Sequence, residues 1–110
     1  QWARAKGFDT FCPLGPWVTT GIEPGDLAVQ CRVNGRTTQS GRTSQMLADV
    51  PALVSAVSSA FTLLPGDVIL TGTPAGVGPV VAGDVVEVDI EDIGTLRHRV
   101  VAEPGGVSNR

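Results

Sequence analysis

Glycine and proline punctuate this sequence at intervals of about ten residues, and their spacing limits the length of every element between them. The 110 residues include 14 glycines and 8 prolines, which do not gather into a low-complexity tract. The apolar stretches between them suit strands of roughly four to eight residues, with room for one short helix. We therefore expect one small domain of short strands joined by tight turns.

The clearest strand pattern leads into a two-residue turn. Every second residue from 27 to 33 is leucine, valine or cysteine, and this period of two is typical of a strand. Asn34-Gly35 follows directly, and both residues tolerate the positive φ of a tight hairpin turn. The pattern predicts a hairpin whose second strand runs over residues 36–40.

Other stretches add to the predicted sheet. Residues 86–90 alternate valine and isoleucine with acidic side chains, and the chain is expected to return over residues 95–101. Short apolar runs predict further strands at residues 17–20 and 68–70. Pro65-Gly66, just before the second of these runs, fits the centre of a type II turn.

One stretch has the period of a helix. Asp49 suits the N-cap, and Pro51 is tolerated in the first turn. The residues that follow place an apolar stripe on one helix face, formed by Leu53, Val54, Val57, Phe61 and Leu64. Five or six strands and one helix predict a β-rich α+β fold. So many strands in a short chain leave edges that a larger protein would cover, so we expect the sheet to be incomplete in this chain.

Charge and composition exclude several classes of partner. The net charge of -3 gives no basic surface for nucleic acid or an anionic membrane. No apolar run approaches the roughly 20 residues of a membrane span, and residues 1–10 have no signal-peptide pattern. With Cys12 and Cys31 as the two cysteines, we expect free thiols and a cytoplasmic location.

A polar, glycine-dense loop ends the apolar run in DVILTGTPAGVG, residues 67–78. It is neither a P-loop, because no Lys-Ser/Thr pair closes it, nor a dinucleotide fingerprint, because the glycine spacing differs. Thr71 and Thr73 supply hydroxyls, and Gly72 lets backbone N–H groups approach a small anion. The residues alone leave two readings open: a site for a carboxylate, or a tight turn capped by its own threonines.

Lys6, in the segment AKGFDTF, is the second candidate. It lies among apolar neighbours, and Asp9 is close in sequence. A positioned ammonium can stabilise a developing enolate. An exposed lysine with no chemical role is the alternative.

Other polar clusters favour structural roles. Residues 87–92 predict an acidic strand face open to solvent rather than a metal site. Arg97, His98 and Arg99 predict a second solvated face, and Ser44 has no partner that would make it a nucleophile. One histidine and two cysteines give no zinc spacing.

Four segments, taken together, resemble the C-terminal part of the fumarylacetoacetate hydrolase family: AKGFDTFCPLGPW, VNGRTTQSGRTSQML, LLPGDVILTGTPAGVGPV and GDVVEVDIEDIGTLRHRVV. The resemblance covers residues 1–102 and extends to the bacterial hydroxyheptadienedioate isomerase or acylpyruvate hydrolase branch. Residues 103–110 are expected to form a flexible tail. The resemblance implies a mixed β-sandwich or β-roll and a homodimer.

The same resemblance implies an enzyme that acts on 2-oxo or 2,4-dioxo acids. The reactions are C–C hydrolysis, decarboxylation and keto–enol isomerisation, and each passes through an enolate. A divalent metal, Mg²⁺ or else Mn²⁺ or Ca²⁺, would polarise the substrate. Lys6 would stabilise the enolate or donate a proton, and Thr71 would contact the substrate carboxylate or carbonyl. Gly72 and Thr73 would help through backbone or hydroxyl contacts.

The sequence departs from the family pattern in its metal ligands. The family's Glu-x-Glu pair and aspartate lie upstream of the matched region, as do the glutamate and histidine that activate water. We therefore expect no metal ligand in this chain and a need for the missing N-terminal half. Three hypotheses stand: part of a metal-dependent enzyme, an inactive truncated fragment serving as a structural or dimerisation module, or a carboxylate-binding domain that needs no metal.

Overall fold

The computed structural model describes residues 1–15 and 17–103. Its helices and strands, in chain order, are α1 (Trp2–Lys6), β1 (Ala28–Val33), β2 (Arg36–Arg42), α2 (Val50–Ala60), β3 (Val85–Ile90) and β4 (Gly94–Arg99). Short 3-10 turns at Pro24–Asp26 and Thr43–Gln45 flank the first two strands. The α+β class is thus confirmed. Of the predicted tail, residues 104–110 lie outside the described residues.

The four strands form one antiparallel sheet in the order β2-β1-β3-β4. Both predicted hairpins are present, and β1 joins them by pairing with β3. Asn34 and Gly35 make the first turn with φ of 51° and 78°. Asp92, with φ of 62°, lies in the second turn, and Gly94, with φ of 118°, begins β4 directly after it. Among the helices just given, none is long and apolar enough to cross a membrane.

The strands predicted at residues 17–20 and 68–70 are wrong for this chain, because neither range belongs to the sheet. A strand is stabilised by hydrogen bonds to a neighbouring strand, and the described part of the chain offers these runs no such neighbour. Val68 is 57% exposed and Leu70 is 71% exposed. The described residues therefore form four strands rather than five or six.

Helix α2 begins where the sequence predicts. The Asp49 side chain accepts a hydrogen bond from the Ala52 N–H at 2.8 Å, and Pro51 lies in the first turn. The helix ends at Ala60, so Phe61 and Leu64 of the predicted stripe lie beyond it. Val57 is half-buried, whereas Phe61 is 70% exposed. The other described residues therefore cover the stripe only in part.

The described residues enclose very little core. Leu27 is their one buried hydrophobic side chain, at 7% exposure. Two hydrogen bonds fix it: its N–H donates to Thr43 Oγ1 at 2.8 Å, and its carbonyl accepts from the Thr43 N–H at 2.9 Å. The radius of gyration is 15.9 Å, whereas a compact domain of this length has about 13 Å. These residues therefore do not bury a core of their own.

The acidic side chains near β3 form the predicted open solvent face only in part, because Glu91 is exposed whereas Glu87 is half-buried. Glu87 lies 3.5 Å from Arg32 and 3.4 Å from Arg97, and its side chain is 25% exposed. Glu91 lies 3.4 Å from Arg42. Arg32 on β1 and Arg97 on β4 lie directly opposite Glu87, so pairing across the sheet balances the charge of this carboxylate. Glu91 lies just beyond β3, and its partner Arg42 ends β2.

His98 is also less open than predicted. It lies on the same face of β4 as Leu96, and both side chains are half-buried. The His98 Nδ1 atom is itself buried and has no hydrogen-bond partner within the part of the chain that the structure describes. The prediction of a solvated face missed this because the neighbouring arginines point to the other, more open side of the edge strand.

Candidate functional site

The threonine loop, defined as residues 71–76, has no regular secondary structure, and two glycines shape it. Gly72 and Gly76 have φ of 114° and 105°. Residues with a Cβ rarely adopt this conformation, whereas glycine does so at little cost. The loop backbone therefore depends on glycine at both positions.

A tight turn fixes the chain shortly before the loop. The Asp67 N–H donates to the Leu64 carbonyl at 3.0 Å, and the Asp67 side chain accepts from the Leu64 N–H at 2.8 Å. Gly66 has φ of 99°, as glycine does at the third position of a type II turn. The predicted Pro65-Gly66 turn is confirmed.

Strand β2 anchors the loop through one side chain. Gln39 Nε2 donates to Thr73 Oγ1 at 2.7 Å and to the Pro74 carbonyl at 2.6 Å. Gln39 and Pro74 are half-buried, while Thr73 is exposed. The two bonds hold the centre of the loop against the sheet and leave the threonine side chain open to a ligand.

Close backbone contacts reinforce this anchor. A Cβ added to Gly76 would lie 2.0 Å from the Thr38 carbonyl oxygen, so no side chain fits there. A Cβ added to Gly41 would lie 3.3 Å from Pro74 Cβ and Cγ, so the proline packs directly over the strand backbone. The threonine loop is therefore pressed onto β2 at both places.

Lys6 ends α1 and is exposed. Gly7 is the C-cap of this short helix. A Cβ at this position would lie 2.5 Å from the Ala3 carbonyl oxygen, which favours glycine there. Within residues 1–15 and 17–103, no hydrogen bond or ion pair joins Lys6 to the threonine loop. In the loop itself, Thr73 accepts a hydrogen bond from Gln39, and Gly72 has a positive φ. Thr71 is exposed. A shared site for Lys6 and the loop stays a prediction.

Two surface cavities lie away from these candidates. One, of about 160 Å³, is apolar and lies beside Trp17, whose indole N–H donates to the Ile93 carbonyl at 3.0 Å. The other, of about 370 Å³, lies beside Met46. Neither is lined by Lys6 or by the threonine loop.

The described residues do not fit a metal ion. Across the two described ranges, no group of three or more His, Cys, Asp or Glu side chains lies close enough to hold one. One carboxylate near the second cavity, Asp26, is instead paired with a basic side chain and a hydroxyl. Arg42 Nε donates to Asp26 Oδ1 at 2.6 Å, and the Ser44 hydroxyl donates to the same atom at 2.6 Å.

These bonds explain the ionisation of the pair. The Arg42 guanidinium, and then the Ser44 hydroxyl, hold the pKa of Asp26 below its ordinary value, and Asp26 raises the pKa of Arg42. Each group is thus kept charged and bound to its partner. Ser44 is committed to this cluster, which agrees with its predicted structural role.

Sequence reasoning missed Gln39, which lies 34 positions before Thr73. The available signal was weak: a strand made almost entirely of polar residues, RTTQSGR, with a glycine two positions after the glutamine. A polar strand is ordinarily interpreted as a solvent-exposed edge. Only the folded arrangement places the loop over it.

Comparison with known proteins identifies the fold. Residues 1–101 match the family model described as fumarylacetoacetate (FAA) hydrolase C-terminal. The crystal structure of 5-carboxymethyl-2-hydroxymuconate delta-isomerase from Mycobacterium smegmatis matches with a TM-score of 0.91 and 55% identity, over 94% of this chain and 41% of that one. The match supports the α+β arrangement described above.

Two further relatives carry informative names. Maleylpyruvate hydrolase from Sphingobium sp. SYK-6, solved in complex with manganese(II) ion and pyruvate, has a TM-score of 0.82 and 42% identity, over 86% of this chain and 37% of that one. Human mitochondrial oxaloacetate tautomerase FAHD2A is 48% identical over 111 residues, covering 92% of this chain and 36% of its own length.

The chain spans about two fifths of the length of the curated relatives it matches. The shared part includes α1, the whole sheet and the threonine loop, since the family model extends over residues 1–101. The chain therefore belongs to the fumarylacetoacetate hydrolase family, whose C-terminal part it matches.

Proposed function

We propose that this chain is the C-terminal portion of a divalent-metal-dependent enzyme that acts on 2-oxo or 2,4-dioxo acids. The reaction is C–C hydrolysis of an acylpyruvate-type substrate, or decarboxylation or keto–enol isomerisation of an oxaloacetate-type substrate, through an enolate. One observation carries the proposal: a polar loop, anchored on β2, in a chain whose relatives are named as an isomerase, a hydrolase and a tautomerase of such acids.

The threonine loop suits one end of an oxo acid. Such a substrate presents a carboxylate beside a carbonyl, and both oxygens accept hydrogen bonds. Thr71 and Thr73 offer hydroxyl donors, and the positive φ of Gly72 leaves the backbone open to close approach. Because Gln39 fixes the loop, little ordering entropy is lost when the ligand binds.

Lys6 supplies the positive charge in this proposal. Its side chain is exposed at the end of α1, and it takes part in no ion pair within the described residues. An ammonium beside the substrate stabilises the negative charge of the enolate or donates the proton that quenches it. Lys6 is therefore the proposed catalytic residue of this chain.

The metal ligands are proposed to lie in the part of the enzyme outside this chain. The described residues hold no metal-ligand cluster, and one relative was solved with manganese(II) ion. Mg²⁺ is the proposed ion, with Mn²⁺ or Ca²⁺ as substitutes. The residues of this chain are assigned to the substrate rather than to the metal.

The exposed apolar surface supports a larger assembly. Among the aromatic side chains, Trp2 is 82% exposed, Phe11 62% and Trp17 59%. Side chains of this size are normally withdrawn from water, because each buries up to about 250 Å² when covered. We therefore propose that the rest of the enzyme completes a mixed β-sandwich or β-roll over this sheet, and that the enzyme is a homodimer.

A second candidate function is a catalytically inactive fragment that serves as a structural or dimerisation module. Two observations favour it: the single buried hydrophobic side chain in the described residues and their lack of a metal-ligand cluster. This candidate predicts association without turnover.

A substrate panel separates the two. The complete enzyme, meaning this chain together with the part that its relatives have in addition, is assayed with acylpyruvates and oxaloacetate, with Mg²⁺ and with a chelator. We expect metal-dependent turnover by the complete enzyme and none by the 110-residue chain alone. Absence of turnover across the panel, or turnover unaffected by the chelator, would contradict the proposed function.

A further inference from the structure

The anchor of the threonine loop lies beside an irregularity in β2. Across the β1–β2 pair, Gln39 opposes Cys31 and Thr37 opposes Arg32, so Thr38 is an extra residue in the ladder. A bulge of this kind bends a strand and increases its twist, and bulges are common next to active sites. It is the carbonyl of this extra residue that approaches the loop so closely that a side chain is excluded.

The direction of the hydrogen bonds from Gln39 can be assigned. Its side-chain nitrogen lies 2.6 Å from the Pro74 carbonyl oxygen, which can only accept. The atom facing Pro74 must therefore be the amide nitrogen rather than the amide oxygen. The same nitrogen lies 2.7 Å from Thr73 Oγ1. Thr73 must then be the acceptor in this contact.

That direction decides what the Thr73 hydroxyl can do next. A hydroxyl has one hydrogen to donate and two lone pairs. Because Gln39 donates to a lone pair, the Thr73 hydrogen is not used in this contact and can be donated to another molecule. We infer that Gln39 is a positioning residue, which holds Thr73 as a hydrogen-bond donor toward a carboxylate or enolate oxygen of the oxo acid. The inference rests on the proposed function and adds the residue that determines the direction in which the Thr73 hydroxyl donates its hydrogen bond.

Gln39→Glu tests the direction, because it keeps the shape of the side chain and removes both N–H donors at neutral pH. The carboxylate then accepts the Thr73 hydrogen, so that Thr73 can no longer donate it to the substrate. The carboxylate also faces the Pro74 carbonyl with no hydrogen between the two oxygens. Gln45→Glu is the matched control. Gln45 accepts from the Arg42 N–H at 2.8 Å, and a carboxylate retains that role while adding the same charge near the same strand.

The readouts are the Kd for pyruvate by calorimetry and the KM and kcat for oxaloacetate, both in the complete enzyme. We expect Gln39→Glu to weaken pyruvate binding roughly tenfold, and Gln45→Glu to bind it as the unaltered enzyme does. A glutamate regains a hydrogen as the pH falls toward about 4.3. The difference in Kd for pyruvate between Gln39→Glu and the unaltered enzyme should therefore become smaller as the pH is lowered. The Kd of Gln45→Glu, relative to that of the unaltered enzyme, should not change with pH.

Equal losses in the two variants, or a deficit of Gln39→Glu that does not change with pH, would overturn the inference. Gln39→Met covers the case in which the glutamate variant folds poorly, because it removes the donors without adding charge. It should weaken pyruvate binding at every pH, and unchanged binding would overturn the inference. An unaltered enzyme that neither binds nor converts oxo acids overturns the proposed function itself. Gln39 variants that bind pyruvate as tightly as an active unaltered enzyme overturn the inference alone.

Discussion

Asn34 and Asp84 lie 50 positions apart, and Asn34 Nδ2 donates to Asp84 Oδ1 at 2.8 Å. The Asn34 side-chain oxygen accepts from the Val85 N–H at 2.9 Å. The second Asp84 oxygen accepts from the Val81 N–H at 2.8 Å. The turn residue of the first hairpin thereby fixes the start of β3, and side chains as well as strand pairing join the two hairpins.

Asn34→Asp should destabilise the fold through charge. The variant keeps a residue that tolerates positive φ, but it sets a second carboxylate against Asp84 at neutral pH. We expect the complete enzyme to melt several degrees lower by calorimetry. Asn34→Gly keeps the turn and removes only the side chain. Its melting temperature should lie between those of the unaltered enzyme and of Asn34→Asp. A lower melting temperature for the glycine variant than for the aspartate variant would contradict this account.

Acid should remove the contribution of Asp84. The Val81 N–H, and then the Asn34 amide, hold the pKa of Asp84 below its ordinary value of 3.8. A carboxyl with a lowered folded-state pKa stabilises the fold fully above its ordinary value, and the contribution is lost as the pH falls through the folded value. Asp84→Asn should therefore lower the melting temperature at neutral pH, with a difference that shrinks in acid. Asp9→Asn serves as the exposed control and should change the melting temperature neither at neutral pH nor in acid.

Gly76→Ala should disturb the threonine loop. The new Cβ would meet the Thr38 carbonyl at 2.0 Å, and the backbone φ of 105° adds strain. We expect a stability loss of about 1–3 kcal/mol together with weaker pyruvate binding. Gly78→Ala is the matched control, because nothing lies within 4 Å of the added Cβ there and no positive φ is required. Equal binding by the two variants would show that the loop does not hold the ligand.

Lys6→Ala should lower turnover of oxo acids by the complete enzyme by roughly 100-fold, the scale of losing one charge-stabilising donor. Arg4→Ala removes a positive charge from the same helix and should leave kcat close to that of the unaltered enzyme. Steady-state kinetics with oxaloacetate and an acylpyruvate measure both. Unchanged turnover in Lys6→Ala would mean that the role given to this lysine is wrong.

Thr71→Val keeps the shape of the side chain and removes its hydroxyl. We expect it to weaken substrate binding roughly tenfold while the affinity for Mg²⁺ stays near normal, since the metal ligands are proposed to lie elsewhere. Calorimetric titrations with pyruvate and with Mg²⁺ give the two constants. Thr20→Val is the control outside the loop. Parallel loss of both affinities would mean that the variant only unfolds the loop.

The sequence predicted those parts of the fold that depend on neighbouring residues. Asn34-Gly35 specifies a hairpin turn through its own φ preferences. Asp49 caps helix α2, and Pro51 is tolerated in the first turn of that helix. Residues 68–70 look like a strand for the same local reasons. They are not one in this chain, because a strand also needs a partner and none of the described segments provides it.

The candidate site was predicted in composition but not in arrangement. Thr71, Gly72 and Thr73 stand out because hydroxyls and glycines are concentrated after an apolar run. The contact between Gln39 and Thr73 spans 34 positions and lies next to a bulge that no local propensity marks. The neighbours of Lys6 made it a candidate but left an exposed lysine with no chemical role as the alternative, and only the resemblance assigned it to the enolate.

The extra residue in β2 bears on how this segment tolerates changes in length. The pairs on either side of Thr38 join consecutive residues of β1, so shortening the strand by that one residue would leave the ladder in register. The sheet would persist, while the carbonyl that supports the loop would be withdrawn. Deleting Thr38 would thus leave the sheet able to form while removing a backbone contact that holds the threonine loop in place. Few side-chain substitutions could separate these two effects.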